Sequence, residues 1–378
     1  MTKNPIVFAC LLASVVFACG GKTENVGIAQ PEPVANKQPS KHVLHRVPAD
    51  WWKAKTPCPA GSTLKGAVPP KGSETWCADS AGKKQGPATK WYENGKLFKN
   101  GWYKDGELDG LVVSFYPTGQ LREQVAFAAG KQDGIARRWH LNGAKQAEAH
   151  YKAGKEDGIV RSWYENGTLR QRVRMTAGKP VGKLDEWYPN GKRKRTAFYA
   201  DGKQSGPSTS WYADGKLEHK STYVKGKIEG EVRAFHKNGR VRLETTYKAG
   251  KRVGLSHEYY PDGKKLSEAT FVDGKAVGVF RSWYPNGKLH QSVTYKAGVK
   301  QGPAKVYHPN GKLAQTFTYA KDKIEGKHVA YYPTGEKLLT GSFKHGERHG
   351  VWIYFDKKGK KKKVEKYLAG KLVSAGNN

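Results

Sequence analysis

Glycine returns in this chain on a fixed beat, at positions 86, 110, 134, 158, 182, 206, 230, 254, 278, 302, 326 and 350, each 24 residues after the last. Counting from each of these, position +5 is aromatic in all twelve copies, from Trp91 through Trp283 to Phe355. Position +9 is a second glycine in all twelve, from Gly95 to Gly359. Position +17 is Tyr or Phe except at Met175, and position +20 is a third glycine except at Asp322. A strict period of this length marks a stacked repeat, in which each unit buries its apolar surface only against its neighbours.

The punctuation predicts strands joined by tight turns. Six copies read Pro-x-Gly at the first turn, as in Pro285-Asn286-Gly287. Proline presets the second turn position, and glycine takes the left-handed one, so a three-residue hairpin loop with a glycine bulge is expected. That register sets Trp283 opposite Leu289. Alternation then places Val279, Trp283, Leu289, Val293 and Tyr295 on one face. Tyr284, Lys288, His290, Ser292 and Thr294 fall on the other. A second turn at Lys296-Ala297-Gly298 leads into the next copy. The expected fold is all-β: an elongated, single-layer antiparallel meander of twelve hairpin repeats, with a buried stripe of Trp, Leu and Tyr and no helix.

The recurring pattern of glycine, aromatic, Asn/Asp-Gly-Lys-Leu, aromatic and Gly-Lys resembles the MORN-repeat variant of bacterial proteins often labelled YwqK-type antitoxins. The resemblance covers residues 86–373. It implies a twisted antiparallel sheet used for binding or scaffolding, and no catalytic residue to carry over. The chain departs from the pattern at Met175, at Asp322 and in its lysine-rich last copy.

Ahead of the array, residues 1–18 read as a signal peptide, with Lys3 before the apolar run Ile6 to Ala18, a run too short to span a bilayer. The segment Val16-Phe17-Ala18-Cys19-Gly20 resembles a bacterial lipobox, which makes Cys19 a lipidation site. Gly20 in place of Asp then favours the outer membrane of the cell envelope. Residues 19–47, with Pro31, Pro33 and Pro39, read as a flexible tether. Residues 48–85 form an N-terminal cap in which Cys58 and Cys77 are left to pair as one disulfide. That bond is worth about 3 kcal/mol on the chain-entropy account. Trp51, Trp52 and Trp76 are expected to cover the open edge of the first repeat. Residues 374–378 are a short tail.

No constellation for catalysis, metal or cofactor survives inspection. His345 and His349 flank a turn glycine, whereas metal-binding histidines four apart need a helix. His140, His236 and His308 fill a slot that holds tyrosine elsewhere. Charge is the stronger signal: 67 Lys and Arg stand against 33 Asp and Glu, a net of +34. Rows of lysine follow the first turn glycine (Lys96, Lys192, Lys288) and the second (Lys131, Lys155, Lys275). The candidate binding surface combines Tyr92, Tyr116, Tyr164, Tyr188, Tyr212, Tyr260 and Tyr284 with Arg137, Arg161, Arg233 and Arg281. Aligned cations with interleaved aromatics attract polyanions in a salt-dependent way. The leading expectation is an exported, lipid-anchored, non-enzymatic binding or scaffold protein for an anionic envelope polymer or an acidic protein. Capture of a toxin is the alternative, and nucleic-acid binding, which export opposes, is the weakest reading. Oligomeric state is open.

Overall fold

A computed structural model describes residues 46–377 of the chain. The signal segment, Cys19 and nearly all of the tether lie outside the described residues. The described chain parts between Leu217 and Glu218 into two compact units. Both are built of antiparallel strands only, and the sole helical element among the described residues is the 3-10 turn Trp51–Lys53.

In each unit the strands run as a meander, each pairing with the next along the chain. The Gly278 repeat shows the construction. Strand Lys275–Trp283 pairs with Leu289–Lys296, and that strand pairs with Val299–Tyr307. At the first turn the Gly287 amide donates to the Tyr284 carbonyl at 2.8 Å, and the Tyr284 amide donates to the Lys288 carbonyl at 2.8 Å. Gly287 has φ +84°, so this is the expected type I turn closed by a glycine bulge. The second turn is tighter than the sequence suggested. Lys296 pairs directly with Val299, leaving only Ala297 and Gly298 in the loop, at φ +52° and +88°. Two successive positive φ values make a type I′ turn, whose twist matches that of the strands. An acid or amide from the strand entry holds the corner: Asp133 accepts from the Ala153 amide at 3.1 Å, and Glu325 from the His345 amide at 2.7 Å. Asp322, which replaces a turn glycine, takes φ +67° and accepts from the Lys300 amide at 2.9 Å.

The faces differ from the sequence expectation, for a local reason. Trp283 does lie opposite Leu289, but Ser282 lies opposite Gln291, so His290 is an extra residue. A bulge there reverses the alternation in the second strand only. Val293 and Tyr295 therefore share a face with Phe280 and Tyr284, while Ser292 and Thr294 join Val279, Arg281, Trp283 and Leu289. The same register shift recurs, for example at Ser114/Phe115 and Glu258/Tyr259.

The core follows from this. In each unit it is a row of cross-strand pairs at +2 and +15, the positions that Phe280 and Val293 hold in their own unit: Val112 with Val125, Val160 with Val173, Leu184 with Ala197. Val112, Val125, Val160, Val173, Leu184, Ala197 and Val293 are buried, and Ala197 is 0% exposed. Each such valine or leucine contributes about 1.5–3 kcal/mol of burial. The +5 indoles are not the buried stripe: Trp139, Trp163 and Trp283 are only half-buried, on the opposite face. Where a large side chain enters the core row, a small one yields. Trp352, 1% exposed, lies flat on Gly341, where a Cβ would sit 2.2 Å from its ring.

In the N-terminal cap, Cys58 and Cys77 are joined by a disulfide. The edge of the first repeat is covered by a strand rather than by loose indoles: Glu74–Ala78, carrying Trp76, pairs with Lys84–Trp91, and Thr63–Ala67 pairs outside it. Trp51 and Trp52 pack on a face instead. The Trp51 Nε1–H donates to Thr89 Oγ1 at 2.8 Å, and the Trp52 ring meets Trp91 edge-on at 5.0 Å.

Candidate binding surface

The tyrosine row sits at +6, at the first-turn end of each repeat, and its hydroxyls are engaged inside the protein. Tyr92 Oη donates to the Phe115 carbonyl at 2.8 Å, Tyr116 to Trp139 at 2.8 Å, Tyr164 to Trp187 at 2.9 Å, and Tyr188 to Trp211 at 2.9 Å. In the other unit Tyr260 donates to Trp283 and Tyr284 to Tyr307, both at 2.8 Å. Each bond ties one repeat to the backbone of the next. Histidine makes the same tie through Nε2: His140 to Trp163 at 3.1 Å, His236 to Tyr259 at 2.8 Å, His308 to Tyr331 at 2.9 Å. The +6 rings also pack on the bulge residue at +12, as Tyr284 does on His290 at 4.4 Å and Tyr92 on Phe98 at 4.9 Å. Tyr212 occupies the same half-buried slot. The tyrosines thus act as staples along the array before they can be anything else.

Lysines after the first turn glycine are tied in the same direction. Lys96 Nζ donates to the Thr118 carbonyl at 2.9 Å, Lys192 to Asp214 at 2.7 Å, and Lys288 to Asn310 at 2.6 Å. Asn286 Nδ2 donates to the Pro309 carbonyl at 2.7 Å beside them. The row after the second turn glycine is different. Lys131, Lys155, Lys179, Lys203, Lys227 and Lys275 are exposed, and the stems of Lys131, Lys155, Lys179, Lys227 and Lys275 pass beneath the turn glycine of the next repeat, as Lys275 does at 3.5 Å from a Cβ at Gly298. This margin carries its charge outward.

Within its own unit each of the four arginines, at +3, lies on the face of the +5 aromatics rather than beside the tyrosines. They are also paired. Glu148 stands between Arg137 and Arg161 as cross-strand partner of both, at 3.0 and 3.5 Å, with Lys145 at 3.3 Å. Glu268 takes Arg281 at 2.9 Å and Lys265 at 2.8 Å, and Glu244 takes Arg233 at 3.4 Å. Burial works against charging Glu148 and Glu268, but hydrogen bonds from these cations outweigh it and hold both below the ordinary carboxylate value. At +11 a cation stacks on the indole of the following repeat: Lys145 on Trp163 at 5.1 Å, Arg193 on Trp211 at 5.8 Å, Lys265 on Trp283 at 5.1 Å. Such contacts are worth about 0.5–1 kcal/mol at exposed sites, and Lys145 and Lys265 combine them with their ion pairs to Glu148 and Glu268.

Sequence reasoning passed over Glu148, Glu244 and Glu268, all at +14, and the stacked cations at +11. Their signal was opposite charge at +3 and +14, readable only with the register in hand. What the surface can do is bind: it has a half-buried indole row, cations stacked on it and an exposed lysine margin, and no group of three His, Cys, Asp or Glu is placed to hold a metal among the described residues.

The match to a known repeat family agrees with this construction. The family model described as MORN repeat variant matches residues 84–106, 108–128, 132–153, 156–175, 204–225, 228–249, 252–273, 276–297 and 300–321. No curated protein matches the chain. Among solved structures, a TcdB2-TccC3 crystal structure is similar at 12% identity and a TM-score of 0.16, over 77% of this chain and 18% of that one. A Photorhabdus luminescens Tc holotoxin pore is similar at 10% identity and a TM-score of 0.15, over 80% and 20%. The chain spans about a fifth of the length of these proteins.

Proposed function

The chain belongs to the MORN repeat variant family, and on that premise we propose that it is a non-enzymatic binding scaffold whose cationic, indole-lined face and exposed lysine margin hold an anionic polymer of the bacterial envelope. The repeats themselves are a binding architecture. The finer reading rests on one observation: cations at +11 are stacked on the indoles of successive repeats while a lysine row stands exposed along one margin. Glu148, Glu244 and Glu268 are taken up on the indole face, and the lysines of the margin stand exposed, although Lys251 is held by Asp273 at 3.0 Å. An acidic protein would meet the same surface. The proposal includes export, lipid anchoring through Cys19 and an outer-membrane address; the Cys58–Cys77 disulfide suits an oxidising compartment.

The test is retention of the full mature chain on immobilised heparin and on lipopolysaccharide, across a salt series. Binding should weaken steeply as salt rises. Lys131→Glu, Lys155→Glu and Lys179→Glu together should weaken it about tenfold, the effect of roughly 1.4 kcal/mol. Binding that is absent, or indifferent to salt, would remove the proposal. Mass analysis of the mature N-terminus, with and without Cys19→Ser, tests the anchor separately.

A further inference from the structure

The Phe280 face contains a gap that the repeat pattern does not require. At the core pair +2/+15, some repeats hold two bulky side chains, such as Val160 with Val173 or Phe280 with Val293, and others two small ones, such as Ala136 with Ala149. The Gly254 repeat is of the small kind, with Ser256 opposite Ala269, and it is followed by the bulky Phe280 of the next repeat. A groove of about 440 Å³ opens there, within the range of small-molecule sites. It lies wholly within residues 252–295 and on the face opposite the stacked indoles.

Its two ends differ in chemistry. At one end are the rings of Phe271, Phe280 and Tyr295, with the Arg252 guanidinium 4.6 Å over Phe271. At the other are Glu258, which accepts from Ser267 Oγ at 3.1 Å, and Ser282. Ser282 is 8% exposed, and its hydroxyl has no hydrogen-bond partner among the described residues. A buried hydroxyl left without a partner costs about 1–3 kcal/mol, so a polar atom supplied from the groove would relieve it. An occupant must therefore offer a flat apolar face to the rings and hydroxyls to a carboxylate and a serine. A sugar ring meets both demands: its C–H face stacks on aromatics while its rim donates and accepts. A purely apolar ligand would strand Glu258 and Ser282, and a simple anion would face Glu258.

We propose that this groove is a carbohydrate site that takes one pyranose residue of a glycan, its ring face on Phe271 and Phe280 and its hydroxyls on Glu258 and Ser282. The site goes beyond the polyanion surface and does not depend on it.

The experiment is saturation-transfer NMR on the full mature chain with N-acetylglucosamine, methyl β-glucuronide and methyl α-mannoside, and with N-acetyl-tyrosinamide as the rival occupant, a peptide aromatic side chain. The filling variant Ser256→Val with Ala269→Val rebuilds the Val/Val pair of the Gly158 repeat, so it should fold with unchanged or raised stability. At least one sugar should show transfer to its ring protons, persist in high salt, and lose affinity at least tenfold in the filled variant. Glu258→Gln should weaken it severalfold without filling the groove. No transfer to any sugar, sugar binding untouched by filling, or groove-dependent binding of N-acetyl-tyrosinamide alone would each overturn the proposal. Heparin retention in the same filled variant reports the opposite face, so failure of one site is distinguishable from failure of the other.

Discussion

The tyrosine staple gives the sharpest stability prediction. In Tyr284→Phe the ring still packs on His290 at 4.4 Å, but the 2.8 Å bond to the Tyr307 carbonyl is lost. A net hydrogen bond contributes about 0.5–1.5 kcal/mol, and a half-buried carbonyl left short of a donor adds to that, so the cost is about 1–2 kcal/mol. For a body of 150–250 residues each kcal/mol is about 2–4 °C in Tm, so a fall of roughly 2–8 °C is expected. The effect should be local. Hydrogen exchange followed by mass spectrometry should show faster exchange across residues 284–311 and little change at a distant repeat of the same compact unit, such as residues 350–368, because repeats couple chiefly to their neighbours. Tyr284→His should restore most of the loss, since His308 makes the same bond one repeat later at 2.9 Å. Heparin affinity should be unchanged in Tyr284→Phe if the hydroxyl is a staple. Wild-type stability and exchange in Tyr284→Phe would refute the reasoning. So would a histidine variant no better than the phenylalanine one.

Other outcomes follow from the same geometry. Ala297 sits at φ +52°, a conformation that costs an L-residue with a Cβ about 1–2 kcal/mol and that asparagine tolerates better. Ala297→Asn should raise the urea midpoint by about 0.5 kcal/mol equivalent, and Ala297→Val should lower it. Gly341→Ala places a Cβ 2.2 Å from the Trp352 ring, so it should destabilise by about 1–3 kcal/mol in the same assay. The Glu365 carboxyl is held at about 2, against an ordinary 4.5, first by its bond from Lys363 and then by that from Tyr354. Its folded value is depressed, so its contribution is fully present above pH 4.5 and fades as pH falls toward 2. Wild-type stability should therefore drop through that window more than that of Glu365→Gln, and parallel curves would exclude the carboxylate as the cause.

The period alone determined that this chain is a stack of hairpins. Pro-x-Gly and Asn-Gly-Lys encode the first turn completely, because proline's φ and glycine's left-handed freedom are local properties, and the register of Trp283 against Leu289 follows from them. The cysteine pair was legible for the same reason of simple arithmetic. The distribution of side chains between the faces was not. It turns on one extra residue at His290, a decision of the cross-strand hydrogen-bond ladder that no side chain announces. That bulge moved Val293 and Tyr295 into the core with Phe280, left the indoles half-buried among cations, and set Glu148 between Arg137 and Arg161. The tyrosine row was visible as a periodicity but not as a set of staples, since its acceptors are backbone carbonyls 23 residues away. The local turns were thus written in residue types. Which side of the sheet became core and which became surface was settled only when neighbouring strands paired, because alternation is a property of the pair and a single bulge reverses it.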